Sequence, residues 1–462
     1  MICKRFLGRL IAVICSISFL ITAATFVFAQ PRSEILATSK FRSFTTADLS
    51  PEIRDVYLNR RRDTLRLRES LLSQMLAEKL LDVEAKSTGS SAEKIIEKVR
   101  NSAGRPTDRQ IAEFFNANEK RLGGVTLEES REQIIEYITA QMEQKKLGEF
   151  IERLREKYRA VVFKDINSPN LKSADVVARV GATPITFAEY NRKFRIFLND
   201  ELHFRYEDVR ADLIAVILSF LIEKEAEETG TDASGIIAKE ITDKMRDFSD
   251  VEREQLESNL KNRLFAKYSV KILLKEPPIL RQDIATNNCP FIGAASAPVE
   301  LVMFSDFQCP ACAAVHPTIA RLLQQYKGKV RLVVRNFPLS DRHPNALDAA
   351  KAALAAAEQG KFFEYIDILY RNQSQLDQDA LLGYAKQLGL NTEKFRADMT
   401  AGNTYSRIEN DIADGDRYGV TSTPTIFVNG AKVHRLSAEA FRRAIDRELA
   451  PPASSASGPR RR

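Results

Sequence analysis

A proline-bearing pair, Cys309-Pro310-Ala311-Cys312, stands where an apolar run gives way to a helical one. The run before it, Val299 to Phe304, reads as a buried strand, and the pattern after it stays helical to near Tyr326. Two cysteines separated by two residues on a strand-to-helix turn fit dithiol–disulfide exchange. Further along, Thr421-Ser422-Thr423-Pro424-Thr425 leads into the strand-like Ile426-Phe427-Val428. Few arrangements other than a mixed α/β layer put both motifs at strand ends.

The chemistry explains the residue types. Only a thiolate attacks a disulfide, so one cysteine must ionise near neutral pH. Cys309 falls at the helix start, where unpaired N–H groups and the helix dipole favour negative charge. Pro310 suits the first helical position, which needs no N–H donor. Cys312 lies one turn on and on the same side. Cys309 is therefore the expected nucleophile and Cys312 the resolving thiol. The competing readings are a zinc ligand pair and two inert cysteines. A structural zinc site needs four ligands; no second Cys-x-x-Cys exists, and Cys289 and His316 could complete one only if the fold brought them in. Pro424 is expected to follow a cis bond, since X-Pro bonds alone take that form at low cost. As the first residue of its strand it also avoids a missing ladder donor. A cis bond there would leave the Thr423 backbone free to pair with a substrate peptide.

From about Asn288 to Ala450 the chain resembles the DsbA-like thiol–disulfide oxidoreductases, a branch of the thioredoxin fold. The residues that carry this are Ala297-Pro298-Val299, Phe304 through Cys312, Asn336-Phe337-Pro338, His343-Pro344-Asn345-Ala346, and Gly419 through Gly430. The resemblance implies that Cys309, Cys312 and Pro424 are catalytic, with Pro310, Ala311 and Thr423 lining the substrate surface. It also implies a helical insertion, which the Ala-rich stretch from Asn345 to Asp414 fits. Pro-Ala between the cysteines is similar to the oxidising members; Thr423 before the proline occurs in isomerase-like members too. Two positions depart from the family. Met303 stands where an acid often aids the resolving cysteine, and Asp306 is the nearest upstream acid, either a loop cap or a proton relay. Ser422 replaces a glycine two residues before the proline.

The ends of the chain bear on location. Lys4, Arg5 and Arg9 precede an apolar run from Leu10 to Phe28, and Val27-Phe28-Ala29 is an acceptable cleavage site, so residues 1–29 read as an export signal. Retention of that run as a membrane anchor is the alternative. Of five cysteines, Cys3 and Cys15 fall in this segment, leaving the dithiol plus Cys289, which reads as an unreactive thiol. The formal charge of +7 sits largely at the two ends, on Lys4, Arg5 and Arg9 and on Arg460, Arg461 and Arg462. The body between is nearly neutral, which gives no footprint for nucleic acid.

The front half contains a hidden repeat. Phe44-Thr45-Thr46-Ala47-Asp48-Leu49 matches Ile185-Thr186-Phe187-Ala188-Glu189-Tyr190. Leu80 through Gly89 matches Leu221 through Gly230 at the same offset of 141 residues. Both copies later reach a Lys-Tyr, at Lys157-Tyr158 and Lys267-Tyr268, followed by a β-prone run. This pattern resembles the helical region of SurA-like periplasmic chaperones.

The expected fold class is multidomain: an all-α N-terminal region of two SurA-like copies, then an α/β thioredoxin fold with a helical insertion. The expected bounds are a signal at 1–29, copies at 30–166 and 170–278, the thioredoxin domain at 279–450 and a disordered tail at 451–462. The expected function is an exported protein thiol–disulfide oxidoreductase, acting as oxidant on unfolded or misfolded proteins through the CPAC dithiol. It would be periplasmic or otherwise extracytoplasmic and would need no cofactor and no metal. Its partners would be protein thiols and disulfides and a membrane or soluble redox recycling partner. The helical region would bind clients or form a homodimer. The alternatives are a disulfide isomerase or reductase, and a non-enzymatic holdase.

Overall fold

The computed structural model describes residues 33–450 apart from Gly123. The export signal with its cleavage site, the anchor alternative and the tail at 451–462 lie outside the described residues. Through the front half the elements run β1 (Ile35–Thr38), β2 (Ser43–Thr45), α1 (Pro51–Thr88), α2 (Ala92–Asn101), α3 (Asp108–Asn118), α4 (Leu127–Lys157), β3 (Val161–Val162), β4 (Val176–Val180), β5 (Thr183–Thr186), α5 (Phe187–Thr229), α6 (Ala233–Glu240), α7 (Asp250–Lys267) and β6 (Lys271–Ile272). The region is helical, as the sequence pattern implies, with short strands at its joints. Among the described residues no helix is long and apolar enough to cross a membrane.

The offset of 141 residues carries over to structure residue by residue. Thr45 and Asp48 form a capping box, and Thr186 and Glu189 make the same three contacts ahead of α5. Such boxes satisfy donors that the first helical turn leaves unpaired. Phe44 and Ile185 are both fully buried, as are Leu80 and Leu221. Gly89 and Gly230 take φ of +63° and +71°, the left-handed conformation that ends α1 and α5. Glu84 receives Lys157 Nζ at 2.5 Å and Tyr158 Oη at 2.6 Å. Glu225 receives Lys267 and Tyr268 at 2.5 Å each, with Arg263 added at 2.7 Å.

The compact units nevertheless follow bounds different from the copies at 30–166 and 170–278. Of the described residues, Asn59–Leu198 form one unit; those before Asn59 and from Asn199 onward form the other. Strand exchange explains the difference. The opening hairpin of the first copy, β1–β2, pairs with β6, which closes the second copy. The opening hairpin of the second copy, β4–β5, pairs with β3, which closes the first. Each opening segment therefore seals the other copy's helices. In the first unit Val177, Ile185 and Tyr190 pack with Leu76 and Leu80 of α1 and Leu147 and Ile151 of α4. In the second, Leu36 and Phe44 pack with Leu213, Ile217 and Leu221 of α5 and Leu260 and Leu264 of α7.

Glu225 gives this second unit an acid-sensitive point. Burial opposes its charge, but Lys267, Tyr268 and Arg263 outweigh that and hold its pKa down to about 2. A depressed carboxylate adds stability above its unfolded value, roughly pH 4, and loses it as pH falls towards the folded value. Glu225→Gln should therefore cost about 2 kcal/mol at neutral pH, with the deficit shrinking on acidification. Denaturant melts at pH 7 and pH 3 measure this; an equal deficit at both would refute the charge-based account.

The remaining elements are β7 (Phe291–Gly293), β8 (Val299–Ser305), α8 (Pro310–Gln325), β9 (Val330–Asn336), α9 (Ala346–Ala357), α10 (Phe362–Arg371), α11 (Gln378–Gln387), α12 (Thr392–Thr400), α13 (Gly402–Arg417), β10 (Thr425–Val428), β11 (Ala431–Lys432) and α14 (Ala438–Leu449). The strands form one sheet in the order β11-β10-β8-β9-β7. β8 and β9 are parallel and joined through α8; the other pairs are antiparallel. Helices α9 to α13 are inserted between β9 and β10, where the Asn345–Asp414 stretch was read as helical. Alternate residues of β8 enter different cores: Val299, Leu301 and Met303 pack with α8 and the insertion, Val302 and Phe304 with Ile284 and Phe337. Gly430 carries φ of +76°, and a Cβ there would meet the Gln282 carbonyl at 2.1 Å. Only glycine fits that position.

Residues 279–450 do not form a compact unit of their own; they share one with Asn199 to Pro278. Charge pairs run between the two stretches. Asp200 takes Lys432 at 2.7 Å and His434 at 2.8 Å, and Glu439 takes Lys261 at 2.6 Å and Arg210 at 2.9 Å. Such partners are a hundred or more residues apart in the chain, so no local pattern announces them.

Candidate functional site

Cys309 caps α8 in an extended conformation, with Pro310 as the first helical residue. The turn is held from three directions. Cys309 N donates to Asp306 O at 3.2 Å, and Cys312 N donates to Cys309 O at 3.1 Å. Gln373, just past α10, donates from Nε2 to Phe307 O at 3.1 Å and to Cys309 O at 2.8 Å. Asp306, almost fully buried, accepts from Gln308 N at 2.8 Å, Leu339 N at 2.9 Å and His343 Nδ1 at 2.8 Å. It acts as a loop cap, tying the cysteine turn to the 337–345 segment, with both of its oxygens engaged there.

The Thr423–Pro424 bond is cis. The Cys309 thiol donates to the Thr423 carbonyl at 3.4 Å, so the two motifs meet. Thr423 and Pro424 are buried, while Pro310 and Ala311 are exposed around the dithiol. The Thr423 hydroxyl has no hydrogen-bond partner, although it is buried. Both active cysteines are free thiols. Cys309 keeps 7% of its surface exposed and Cys312 none. Cys309 is thus less open than a residue on a bare helix end, and the exposed surface beside it is that of Pro310 and Ala311.

Electrostatics separates the two thiols. The Cys312 thiol first, then the N–H groups of Cys312 and Ala311, stabilise a Cys309 thiolate against the cost of burial. They hold its pKa well below the ordinary thiol value. Burial, reinforced by the Cys309 thiolate, pushes Cys312 far above that value. This is the division of labour that exchange needs: one thiolate ready at the surface and one thiol kept protonated behind it.

Met303 is fully buried in the sheet, opposite Ile426, so the slot where relatives often carry an acid is apolar here. The polar group on that side of the dithiol is a hydroxyl pair instead. Ser305 Oγ and Tyr370 Oη lie 2.6 Å apart, with Ser305 at the end of β8 and Tyr370 on α10. Sequence reasoning passed over Ser305, Tyr370 and Gln373. The only available signal was proximity of Ser305 to the CPAC motif; Tyr370 and Gln373 lie on an insertion whose pattern reports amphipathicity alone.

Cys289 packs on the other face of the sheet, with Ile284, Phe337 and Tyr418. Burial pushes its thiol up to about 11. His316 is hydrogen-bonded to Asp367 at 2.5 Å. Neither joins the dithiol, and among the described residues no cluster of three or more His, Cys, Asp or Glu is placed to hold a metal ion.

Comparison with known proteins places this region. Residues 285–447 match the thioredoxin family model. The Na(+)/H(+) antiporter NhaA 3 of Salinispora tropica is 43% identical over 142 residues, which cover 31% of this chain and 22% of that protein. The NhaA antiporter of Herminiimonas arsenicoxydans is 36% identical over 141 residues, covering 30% and 22%. The chain thus spans about a fifth of the length of the curated relatives it matches, 22% in these two. Among solved structures, a thioredoxin-like oxidoreductase from Silicibacter pomeroyi is 29% identical, covering 35% of this chain and 93% of that one, with a TM-score of 0.33. The family match and the strand order agree: residues 285–447 are a thioredoxin-like α/β domain.

Proposed function

We propose that this chain is a DsbA-like protein thiol–disulfide oxidoreductase that acts as an oxidant on unfolded proteins. A substrate thiolate attacks Cys309 Sγ of the Cys309–Cys312 disulfide, and Cys312 leaves. A second substrate thiolate then attacks the substrate sulfur of the mixed disulfide, and Cys309 leaves as a thiolate. The substrate loses two electrons and two protons, and the dithiol gains them. A redox partner must later remove them. The observation that carries this reading is the asymmetry of the two thiols beside the cis-proline loop, with the Cys309 thiolate favoured by the Cys312 thiol and Cys312 buried and protonated. A stabilised reduced form makes the disulfide a strong oxidant.

The chain is exported in this reading, to the periplasm or another extracytoplasmic space. Its repeated helical region is a SurA-like arm that holds clients or a second copy of the chain. The antiport activity named for the curated relatives is not part of the proposal.

The test is a set of assays on the purified protein, oxidative refolding of reduced ribonuclease, insulin reduction and reactivation of scrambled ribonuclease, together with the reduction potential of Cys309/Cys312. Oxidase activity with a potential nearer protein disulfide isomerase than thioredoxin is the expected result. No exchange in any assay, or activity that persists in Cys309→Ala, would overturn it.

A further inference from the structure

Cys312 poses a problem that its surroundings must solve. It is fully buried, and burial raises the cost of its thiolate. Yet when a substrate thiolate breaks the Cys309–Cys312 disulfide, Cys312 must depart as a thiolate. In the reverse step, attack on a mixed disulfide, its S–H must lose the proton. Met303 offers nothing ionisable, and the Asp306 carboxylate is committed to Gln308, Leu339 and His343.

The Ser305–Tyr370 pair lies where help is needed. Cys312 and His316 are one turn apart on α8 and share a face. The Tyr370 ring packs at 4.6 Å from the His316 ring and at 5.5 Å from Phe307. The ring is thus packed against α8 and the segment leading into the cysteine turn, and its hydroxyl meets Ser305 Oγ at 2.6 Å in a buried environment. Tyr370 and Cys312 belong to the same packed core. A buried hydroxyl pair in an apolar setting is costly to maintain unless each group has work for its proton. One proton lies between the two oxygens, and the other is free for a third atom. If Tyr370 donates to Ser305, the Ser305 hydroxyl is free to donate to sulfur.

We propose that Ser305, oriented by Tyr370, is the hydrogen-bond donor that stabilises the Cys312 thiolate as it leaves or attacks. In substitution at Cys309, the bond between the Cys309 and Cys312 sulfurs breaks and its electron pair goes to Cys312 Sγ. The Ser305 O–H points at that charge while Tyr370 O–H supports Ser305 from behind. The thiolate is later protonated from solvent as the turn opens, so neither hydroxyl is consumed. In this role Ser305 serves the departing sulfur, and Tyr370 is a positioning residue that acts through Ser305. The depressing effect of Ser305 on the Cys312 pKa agrees with this geometry. The inference rests on the exchange activity proposed above and assigns the group that serves its second sulfur.

The experiment uses the full chain with glutathione as probe. Cys309 is loaded as a mixed disulfide with glutathione, and release of glutathione by Cys312 is followed across pH 5 to 9. Ser305→Ala and Tyr370→Phe should each slow release about tenfold at pH 7, the effect of one charge-assisted hydrogen bond. The rise of rate with pH should move upward by about one unit in both. Ser305→Thr, which keeps the hydroxyl, should restore the wild-type profile. The double variant Ser305→Ala/Tyr370→Phe leaves no buried hydroxyl orphaned, so it guards against misfolding; it should be as slow as Ser305→Ala alone. Alkylation of reduced Cys309 should be unchanged throughout. Wild-type release rates and pH profile in the folded double variant would overturn the inference while leaving the exchange activity intact. Failure of the wild-type protein to release glutathione at all would overturn both.

Discussion

Cys309→Ala should abolish turnover, with a loss on the order of 10³-fold or more, because no other thiol among the described residues reaches the substrate-facing position. Cys312 has no exposed surface, and Cys289 lies on the far face of the sheet. Cys312→Ala should behave differently. It retains the nucleophile but loses the resolving thiol, so Cys309 should attack disulfides of scrambled client proteins and accumulate as a mixed disulfide. Non-reducing gels of the two variants, incubated with scrambled ribonuclease, provide the measurement. Adducts should appear with Cys312→Ala, vanish on addition of dithiothreitol, and be missing with Cys309→Ala. Equal residual turnover in both variants would mean that the roles of the two cysteines have been assigned wrongly.

The second large effect is in the pH dependence of the thiols. With its pKa lowered to about 5, Cys309 should stay largely thiolate down to mildly acidic pH. An ordinary thiol, with a pKa near 8.5, is roughly 99% protonated at pH 6. Alkylation of reduced protein by iodoacetamide at pH 6 should therefore label Cys309 at least tenfold faster than Cys289, whose thiol burial pushes up to about 11. The gain is smaller than the thiolate ratio, since a less basic thiolate is also a weaker nucleophile. The sign for stability follows. A depressed pKa stabilises the reduced, folded protein fully above the ordinary thiol value, and the effect is lost as pH falls through the folded value. Reduced protein should thus melt above oxidised protein at pH 7, and the gap should close as pH falls from 7 towards about 5. Mass spectrometry of the alkylated protein and paired thermal melts check both claims. Labelling of Cys289 first, or an oxidised form that melts higher at pH 7, would contradict the oxidant reading.

Much of this protein was legible because the relevant physics is local. A strand end, a cysteine and a proline at the first helical position specify the CPAC turn without outside help. A Thr-Pro entering a strand marks the facing loop in the same way. The repeat was legible because capping, helix termination and burial recur at one offset: Thr45 and Thr186, Gly89 and Gly230, Glu84 and Glu225 perform paired tasks. Each of these depends on neighbours within a few residues or on a motif repeated whole.

Tertiary structure decided the rest. The sequence determines that there are two helical copies, but not that each lends its opening hairpin to the other. Short strands such as Val161–Val162 and Lys271–Ile272 carry too little pattern to choose a partner. The sequence also places a boundary near Pro277-Pro278, whereas packing joins residues on its two sides through Asp200, Glu439 and their cations. At the site itself, the sequence names the two sulfurs and the proline, yet their supporting groups come from Tyr370 and Gln373 on the insertion. A hydroxyl becomes a partner only when folding removes water from both ends of the contact, and Ser305 meets Tyr370 across 65 residues of chain. That meeting is set by how α10 packs beneath α8, which no local pattern encodes.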